Sequence, residues 1–191
     1  MSEETTIDTY SGLRLDFTAP TPESICIEDI AAGLSKVCRF GGQALAFYSV
    51  AQHALLVREL MIGAGRTDLA LAALHHDSHE AYACDIPKPL KRVLDNTYER
   101  ICEGLDNAIS ARLGIPRFAR GSEERTLIKE MDDLALDIES NRLLNCAGRA
   151  TTESAPPTTI EVIGAVHEIM GCAEAERAFL DAHGASAPAV V

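Results

Sequence analysis

Apolar residues recur every three to four positions along most of the chain, the spacing that places them on one face of a helix. Residues 10–17 differ, because apolar and polar side chains alternate from Leu13 to Phe17 and so predict a short strand. Two prolines then predict a turn over residues 18–24. The pattern predicts an all-α helical bundle with a minor N-terminal β element.

Capping residues and glycines mark where the predicted helices begin and end. Ser49 and Gln52 have the form of a capping box, and Ser122 caps the longest helix. Gly114, with a proline beyond it, ends another helix. The predicted helices cover residues 27–37, 50–62, 68–83, 96–113, 123–144 and 158–183.

A chain of 191 residues suits one domain with a sizeable core. We expect that domain to cover residues 10–184. The polar residues 1–9 are expected to be a flexible N-terminus, and residues 185–191, which are rich in alanine, proline and valine, a flexible tail.

The charge restricts the class of partner. A net charge of −12 and a pI near 4.9 argue against binding to duplex nucleic acid, which requires many basic side chains. A local basic pocket could still bind a small phosphorylated ligand. No apolar run approaches the roughly 20 residues of a membrane span, and the acidic start does not resemble a signal peptide. Together with six scattered cysteines, expected to be buried thiols rather than disulfides, these features predict a cytoplasmic protein without a membrane partner.

The segment from His75 to Glu80 concentrates potential ligands. It contains three of the six histidines and two carboxylates, directly after an almost entirely apolar run. Imidazole and carboxylate groups bind Zn, Mn, Fe or Co. Adjacent residues on a helix point about 100° apart, so His76 and Asp77 could both reach one ion only if it lies off the helix near their midline. The remaining ligands would have to come from other helices. The alternative is a set of partly exposed polar residues at a helix end.

Two more residues could complete such a site. His53 follows Ser49 on a mainly apolar helix, where a lone histidine is more often a core residue. Asp132 lies in the middle of the long helix, where acids usually face solvent. Considered singly, neither residue points to a function.

The order of His53, His76-Asp77 and Asp132 resembles the ligand pattern of the HD superfamily of metal-dependent phosphohydrolases. The stretch from His76 to Lys91 resembles its bacterial 5′-deoxynucleotidase branch, in which an HD-x-x-E helix precedes a D-[IL]-P-x-P-x-K segment. Further similarity lies at Arg39-Phe40, at 48–53, at 129–132 and, to phage and prophage members, at 10–38. The resemblance covers about residues 10–145.

The resemblance implies one divalent ion (Co, Mn, Zn or Mg) held by four ligands, which are His53, His76, Asp77 and Asp132. It also places Glu80 and Asp85 in the catalytic neighbourhood, although Asp85 could instead be a helix cap. On the predicted helix, Glu80 faces the same side as His76 and Asp77 and could act as a general acid or orient the attacking water.

Substrate contacts are expected from Arg39, whose planar fork matches phosphate oxygens, and from Lys91, for which a surface lysine is the alternative. Phe40 stands where the nucleotidases have tryptophan, a residue implied to contact the sugar. This difference bears on the preference for deoxyribose. Gln52 replaces a glutamate at the helix start.

Three functions follow as hypotheses. The first is 5′-nucleotidase hydrolysis of deoxynucleoside monophosphates. The second is a deoxynucleoside triphosphate triphosphohydrolase, for example from dATP to deoxyadenosine and triphosphate, which should need more basic residues than Arg39, Lys88, Lys91 and Arg92. The third is a non-catalytic nucleotide-binding HD domain. The resemblance also implies a homo-oligomer.

Overall fold

The computed structural model describes residues 3–145 and 168–187. Within them the chain forms eight α-helices and one small antiparallel sheet, so the predicted all-α class with a minor N-terminal β element is confirmed. The helices are α1 (Ile27–Lys36), α2 (Val50–Gly63), α3 (Ala70–Leu74), α4 (Glu80–Ala83), α5 (Lys88–Lys91), α6 (Thr97–Leu113), α7 (Glu123–Leu143) and α8 (Cys172–Ser186).

The sheet has two strands, β1 (Thr6–Asp8) and β2 (Arg14–Asp16), with Ile7 opposite Leu15. The strand predicted within residues 10–17 is therefore present but shorter. Residues 6–8, within the N-terminal segment expected to be flexible, form β1, whose backbone pairs with β2. Leu15 is fully buried and attaches the sheet to the core.

Four predicted helices correspond closely to α1, α2, α6 and α7. The predicted last helix differs. Its residues 158–167 lie outside the described residues, and the helix observed there, α8, begins only at Cys172. It continues to Ser186, so the start of the predicted tail is helical, and residues 188–191 lie outside the described residues.

Helix α2 lies in the centre of the bundle. Every side chain from Val50 to Val57 is buried, and the helix packs against α1, α3, α7 and α8. Gln52 and His53 are both fully buried here. Because burying a polar side chain is costly unless it has a partner, these two residues must be satisfied by groups from neighbouring elements.

The continuous helix predicted over residues 68–83 is wrong. The chain forms α3, then a turn over residues 75–79, then α4. The turn is tightened by backbone hydrogen bonds between residues three apart, such as that from Glu80 N–H to Asp77 O. The His75 ring lies 2.8 Å from Ser78 Oγ and 2.9 Å from Nδ1 of His183, which ties the turn to α8.

Close packing of α1 on α4 holds the end of this turn in place. A Cβ atom built on Gly33 would lie 2.7 Å from the Ala81 carbonyl oxygen. We expect Gly33→Ala to lower the free energy of unfolding by about 1–3 kcal/mol, because the helices must separate. Urea denaturation would measure the loss. The matched control is Gly104→Ala on α6, where the new Cβ would meet nothing closer than 3.4 Å. Equal stability of the two variants would contradict the expectation.

The cysteines were predicted to be buried thiols rather than disulfides. The five cysteines within residues 3–145 and 168–187 are free thiols, although only Cys102 is buried and Cys84 is exposed. Cys146 lies outside the described residues.

In the part of the chain that the structure describes, no helix has both the length and the apolar character required to cross a bilayer.

Candidate metal centre

Three separate elements bring the four predicted ligands together. His53 comes from α2, His76 and Asp77 from the turn after α3, and Asp132 from the middle of α7. One ligand atom of each residue lies within 4.8 Å of the others. The group could therefore hold a metal ion. Because His76 and Asp77 lie on a turn, their approach to a common point does not depend on helical geometry.

Hydrogen bonds orient both imidazole rings toward the centre of the group. Nδ1 of His76 donates to the Ala73 carbonyl oxygen at 2.8 Å, and Nδ1 of His53 lies 2.7 Å from Oε1 of Glu139. A carboxylate only accepts, so Nδ1 of His53 carries the proton. In each neutral ring this leaves a lone pair on Nε2, and both Nε2 atoms are buried without a hydrogen-bond partner among the described residues. Such a lone pair is the form in which histidine binds a metal.

The carboxylates lie directly in front of these nitrogens. Nε2 of His53 is 3.2 Å from Oδ1 of Asp132, and Nε2 of His76 is 3.2 Å from Oδ2 of Asp77. Two neutral imidazoles and two carboxylates carry a net charge of −2, which a divalent cation would balance. Without a cation, protons are held instead. Burial lowers the pKa of His76, but the charge of Asp77 and the contact with Asp132 outweigh it and raise this pKa to about 10. Burial raises the pKa of Asp132, but its close contacts with the imidazoles of His53 and His76 lower it well below its usual value.

Glu139 is a residue of the candidate site that the sequence interpretation missed. Its buried carboxylate accepts from Nδ1 of His53 through Oε1 and from Arg39 through Oε2, at 3.0 Å from Nη2 and 3.3 Å from Nε. Glu139 lies seven residues after Asp132 on α7, which is two helical turns and the same face. This spacing is the sequence signal that could have identified Glu139, because it places a second acid on the same face of α7 as the candidate ligand Asp132.

We expect Glu139→Gln to weaken metal binding by about 10- to 100-fold, the usual effect of losing a partner that orients a metal ligand. The amide keeps the shape of the side chain but removes the charge that fixes the His53 ring. Titration of the metal into the metal-free protein would measure the affinity. Glu130→Gln, at an exposed position on the same helix, is the matched control. Unchanged affinity in Glu139→Gln would show that His53 does not need this partner.

A cavity of about 490 Å³ adjoins the group, and the other predicted site residues line it. They are Arg39, Phe40, Glu80, Asp85 and Lys91. Arg39 is buried and its Nη1 lies 3.4 Å from Oδ2 of Asp85. Because Glu139 already holds Nε and Nη2, Nη1 is the atom of this guanidinium with the weakest protein contact. Asp85 therefore contacts Arg39 and does not cap α5, whose N-cap position is Pro87.

Glu80 and Lys91 form an ion pair at the edge of this cavity. Nζ of Lys91 donates to Oε1 of Glu80 at 3.2 Å, and Oε2 of Glu80 is buried without a hydrogen-bond partner in the described part of the chain. Burial, with the charges of Asp77 and Asp85, raises the pKa of Glu80 to about 7, although Lys91 opposes the shift. A carboxyl group with this pKa can hold or release a proton near neutral pH.

Phe40 and His79 complete the neighbourhood. Phe40 adopts a positive φ of 58° and places its ring 5.5 Å from Cζ of Arg39. His79, with Asp77 and Glu80, forms a second set of ligand atoms within 4.8 Å of one another. In this set, Nδ1 of His79 is already 3.0 Å from Oδ1 of Asp106, and Glu80 is paired with Lys91. The set is therefore less available to a cation than the group around His53.

Two bacterial proteins are similar to the chain over most of their length. YfdR of Escherichia coli K12, an uncharacterized protein, is 40% identical over 135 residues, which is 69% of this chain and 73% of YfdR. The uncharacterized protein RCAP_rcc00048 of Rhodobacter capsulatus is 38% identical over 139 residues, which is 70% of each chain. The chain belongs to the YfdR family. No protein-family profile matches it. The names of these two relatives state no activity. The function of this chain therefore has to be inferred from its candidate site.

Proposed function

We propose that the chain is a metal-dependent phosphohydrolase that acts on deoxynucleotides, hydrolysing the ester bond of deoxynucleoside 5′-monophosphates. The observation that carries the proposal is the pair of buried, unpartnered Nε2 atoms of His53 and His76 facing Asp77 and Asp132. In addition, the cavity beside them contains both basic side chains and a carboxyl group that holds a proton near neutral pH. The resemblance to HD phosphohydrolases supports the same assignment.

The four residues would hold a divalent ion such as Mn, Co, Zn or Mg, since all four offer nitrogen or oxygen ligands. When bound, such an ion supplies Lewis acidity and lowers the pKa of water to about 7. The side chains of the protein must then bind the phosphate and donate a proton to the leaving oxygen.

Arg39 is the residue proposed to hold the phosphate. Glu139 fixes the guanidinium by two hydrogen bonds, Arg39 lines the cavity, and Nη1 makes only the 3.4 Å contact to Asp85 among the described residues. A substrate phosphate oxygen would compete well with a contact of that length. Lys91 contributes a second positive charge, and Phe40, by resemblance, contacts the sugar.

Glu80 is the proposed general acid. Its unpartnered Oε2 is the atom that would carry the proton, since Oε1 accepts from Lys91. As an oxygen of water forms a bond to phosphorus, the bond from phosphorus to the 5′ oxygen breaks, and transfer of this proton to the 5′ oxygen would release the nucleoside as an alcohol and the phosphoryl group as orthophosphate. The pKa of about 7 leaves part of the enzyme population protonated at neutral pH.

A screen of the purified full chain against dNMPs, dNTPs and ribonucleotides, with Mn, Co, Mg and Zn each in turn, tests the proposal. We expect deoxynucleosides and orthophosphate from dNMPs, in amounts that depend on added metal. Nucleotide binding without turnover under every metal would instead identify a non-catalytic nucleotide-binding domain. Release of product at the same rate in a metal-chelating buffer would contradict the metal dependence.

Two further predictions accompany the proposal. The free thiols among the described residues are consistent with a reducing compartment, so the cytoplasm is the proposed location. The homo-oligomer implied by the resemblance is a prediction that light scattering of the purified chain would test.

A further inference from the structure

His75 directly precedes the candidate ligands His76 and Asp77, yet its own ring belongs to neither group of possible ligand atoms among the described residues. Both of its nitrogens have other partners. Nδ1 lies 2.8 Å from Oγ of Ser78, and Nε2 lies 2.9 Å from Nδ1 of His183 on α8. Because His75 comes just before the ligand pair and Ser78 just after it, the first of these contacts closes a loop around that pair.

The two hydrogen bonds of the His75 ring can form together. If Ser78 donates to Nδ1 of His75, the proton on Nε2 is donated to His183, and in the other tautomer both bonds run in the opposite direction. His75 is buried, and a buried imidazole is costly unless its nitrogens have partners. The orientation of the ring is therefore fixed by the residue that follows the ligand pair and by α8.

Helix α8 is itself attached to the bundle on both sides of His183. Phe179, one turn earlier, is fully buried, and its ring meets the His75 ring edge-on with 5.3 Å between the centroids. Near the end of the helix, Oγ of Ser186 accepts a hydrogen bond from Nε of Arg58 at 2.9 Å. Arg58 belongs to α2, the helix of the first candidate ligand. Helix α8 thus contacts both the helix that carries one candidate ligand and the turn that carries two others.

We propose that His183 is a positioning residue for the candidate metal centre. Through His75 it holds the turn at the distance from α2 at which His53 and His76 can share one divalent ion. The inference rests on the metal centre of the proposed function, and it does not depend on which nucleotide is hydrolysed. The rings of His53 and His76 have their centroids 5.2 Å apart. Because metal–ligand distances tolerate deviations of only about 0.2 Å, even a small displacement of the turn should weaken binding of the ion.

Two substitutions at position 183 separate the hydrogen bond from the space that the ring fills. Asparagine and leucine both branch at Cγ, but only the asparagine amide places a polar atom where Nδ1 of His183 lies. We expect His183→Leu to bind Co²⁺ about tenfold more weakly than wild type, the lower end of the effect of losing a group that orients a metal ligand. His183→Asn should stay within about twofold of wild type, because the hydrogen bond to His75 is kept.

Titration of Co²⁺ alone into the metal-free full chain, followed by calorimetry, measures these affinities. The visible absorption of the bound Co²⁺ gives a second measurement, since it depends on the coordination geometry that the ligands impose. The spectrum should change in His183→Leu and match that of wild type in His183→Asn.

A general loosening of α8 has to be distinguished from the loss of this one contact. Ala175→Gly destabilises the same helix at a fully buried position about two turns before His183, and it should leave both the affinity for Co²⁺ and its spectrum unchanged. Ser78→Ala deletes a single oxygen atom at the other end of the His75 contacts, so it tests the inference even if His183→Leu does not fold. It should weaken Co²⁺ binding in the same direction.

The outcomes separate this inference from the proposed function. Equal affinity for Co²⁺ in wild type, His183→Leu and Ser78→Ala would overturn the inference. An equal loss of affinity in Ala175→Gly and His183→Leu would overturn it as well, because His183 would then only stabilise α8. Wild-type protein that binds no Co²⁺ would exclude both the inference and the proposed function. If wild-type protein hydrolyses no nucleotide but binds Co²⁺ in a manner that depends on His183, the proposed function fails and the inference stands.

Discussion

Replacing His76 by alanine is expected to abolish metal binding and to lower nucleotide hydrolysis by more than about a thousandfold. The variant removes one of two buried imidazoles whose Nε2 atoms face the carboxylates of Asp77 and Asp132. The metal is proposed to contribute several kcal/mol of transition-state stabilisation, and each 1.36 kcal/mol corresponds to a factor of ten in rate. Metal content by mass spectrometry and hydrolysis under saturating Mn would measure both effects.

Glu130→Ala is the control for this experiment. Glu130 is exposed on α7 and does not belong to the ligand group. The control should retain a full equivalent of metal. The stabilisation of the fold by added metal gives a second measurement, since a ligand that binds the native state raises its melting temperature. A His76→Ala variant that keeps its metal and its full activity would contradict the whole interpretation of the site.

Local signals were sufficient for the helices whose ends are set by their own residues. Ser49 and Ser122 each accept a hydrogen bond from the backbone N–H three residues later, as helix caps should. Gly114 ends α6 in the left-handed conformation that glycine adopts readily. The predicted Gln52 half of the capping box is absent, because Nε2 of Gln52 donates to the Glu168 carbonyl oxygen.

Tertiary contacts explain where the sequence interpretation failed. The run from Leu69 to Ala83 has no proline or glycine, so nothing local indicates a break. The turn is stabilised instead by the contacts of His75 with Ser78 and with His183, a residue 108 positions away. Likewise β1 forms only because β2 offers it a partner. Contacts at such separations do not appear in the periodicity of a segment.

In the candidate site, too, some residues could be predicted from the sequence, whereas one depends on tertiary contacts. The four candidate ligands could be predicted from their order and by resemblance, and the structure brings them together. Glu139 was missed because an acid on a long helix carrying many acids looks like a solvated residue. Only its burial, and its contacts with both His53 and Arg39, distinguish it. The link from His53, a candidate metal ligand, to Arg39, the arginine proposed to bind phosphate, is therefore a property of the fold that spacing alone does not reveal.

Glu80 is the residue whose protonation should govern the pH dependence of the reaction. Burial raises its pKa, the charges of Asp77 and Asp85 raise it further, and Lys91 lowers it, with the result at about 7. A general acid must be protonated to act, so activity is present below this pKa and declines as the pH rises through it. A cation held by the candidate ligand group would offset the raising effect of Asp77, so in the metal-loaded enzyme the decline should be centred no higher than about pH 7.

We expect Glu80→Gln to lower kcat by on the order of a hundred- to a thousandfold, the usual contribution of a positioned acid. The amide fills the same space but has no proton to transfer, so the decline with rising pH should also disappear from the residual rate. Profiles of kcat against pH for both proteins, with equal metal content confirmed, would measure the effect. Glu130→Gln, exposed on α7, should behave as wild type in both respects. A Glu80→Gln enzyme with wild-type kcat, or one that retains the decline with rising pH, would exclude Glu80 as the acid and leave the proton to another group in the cavity of Arg39.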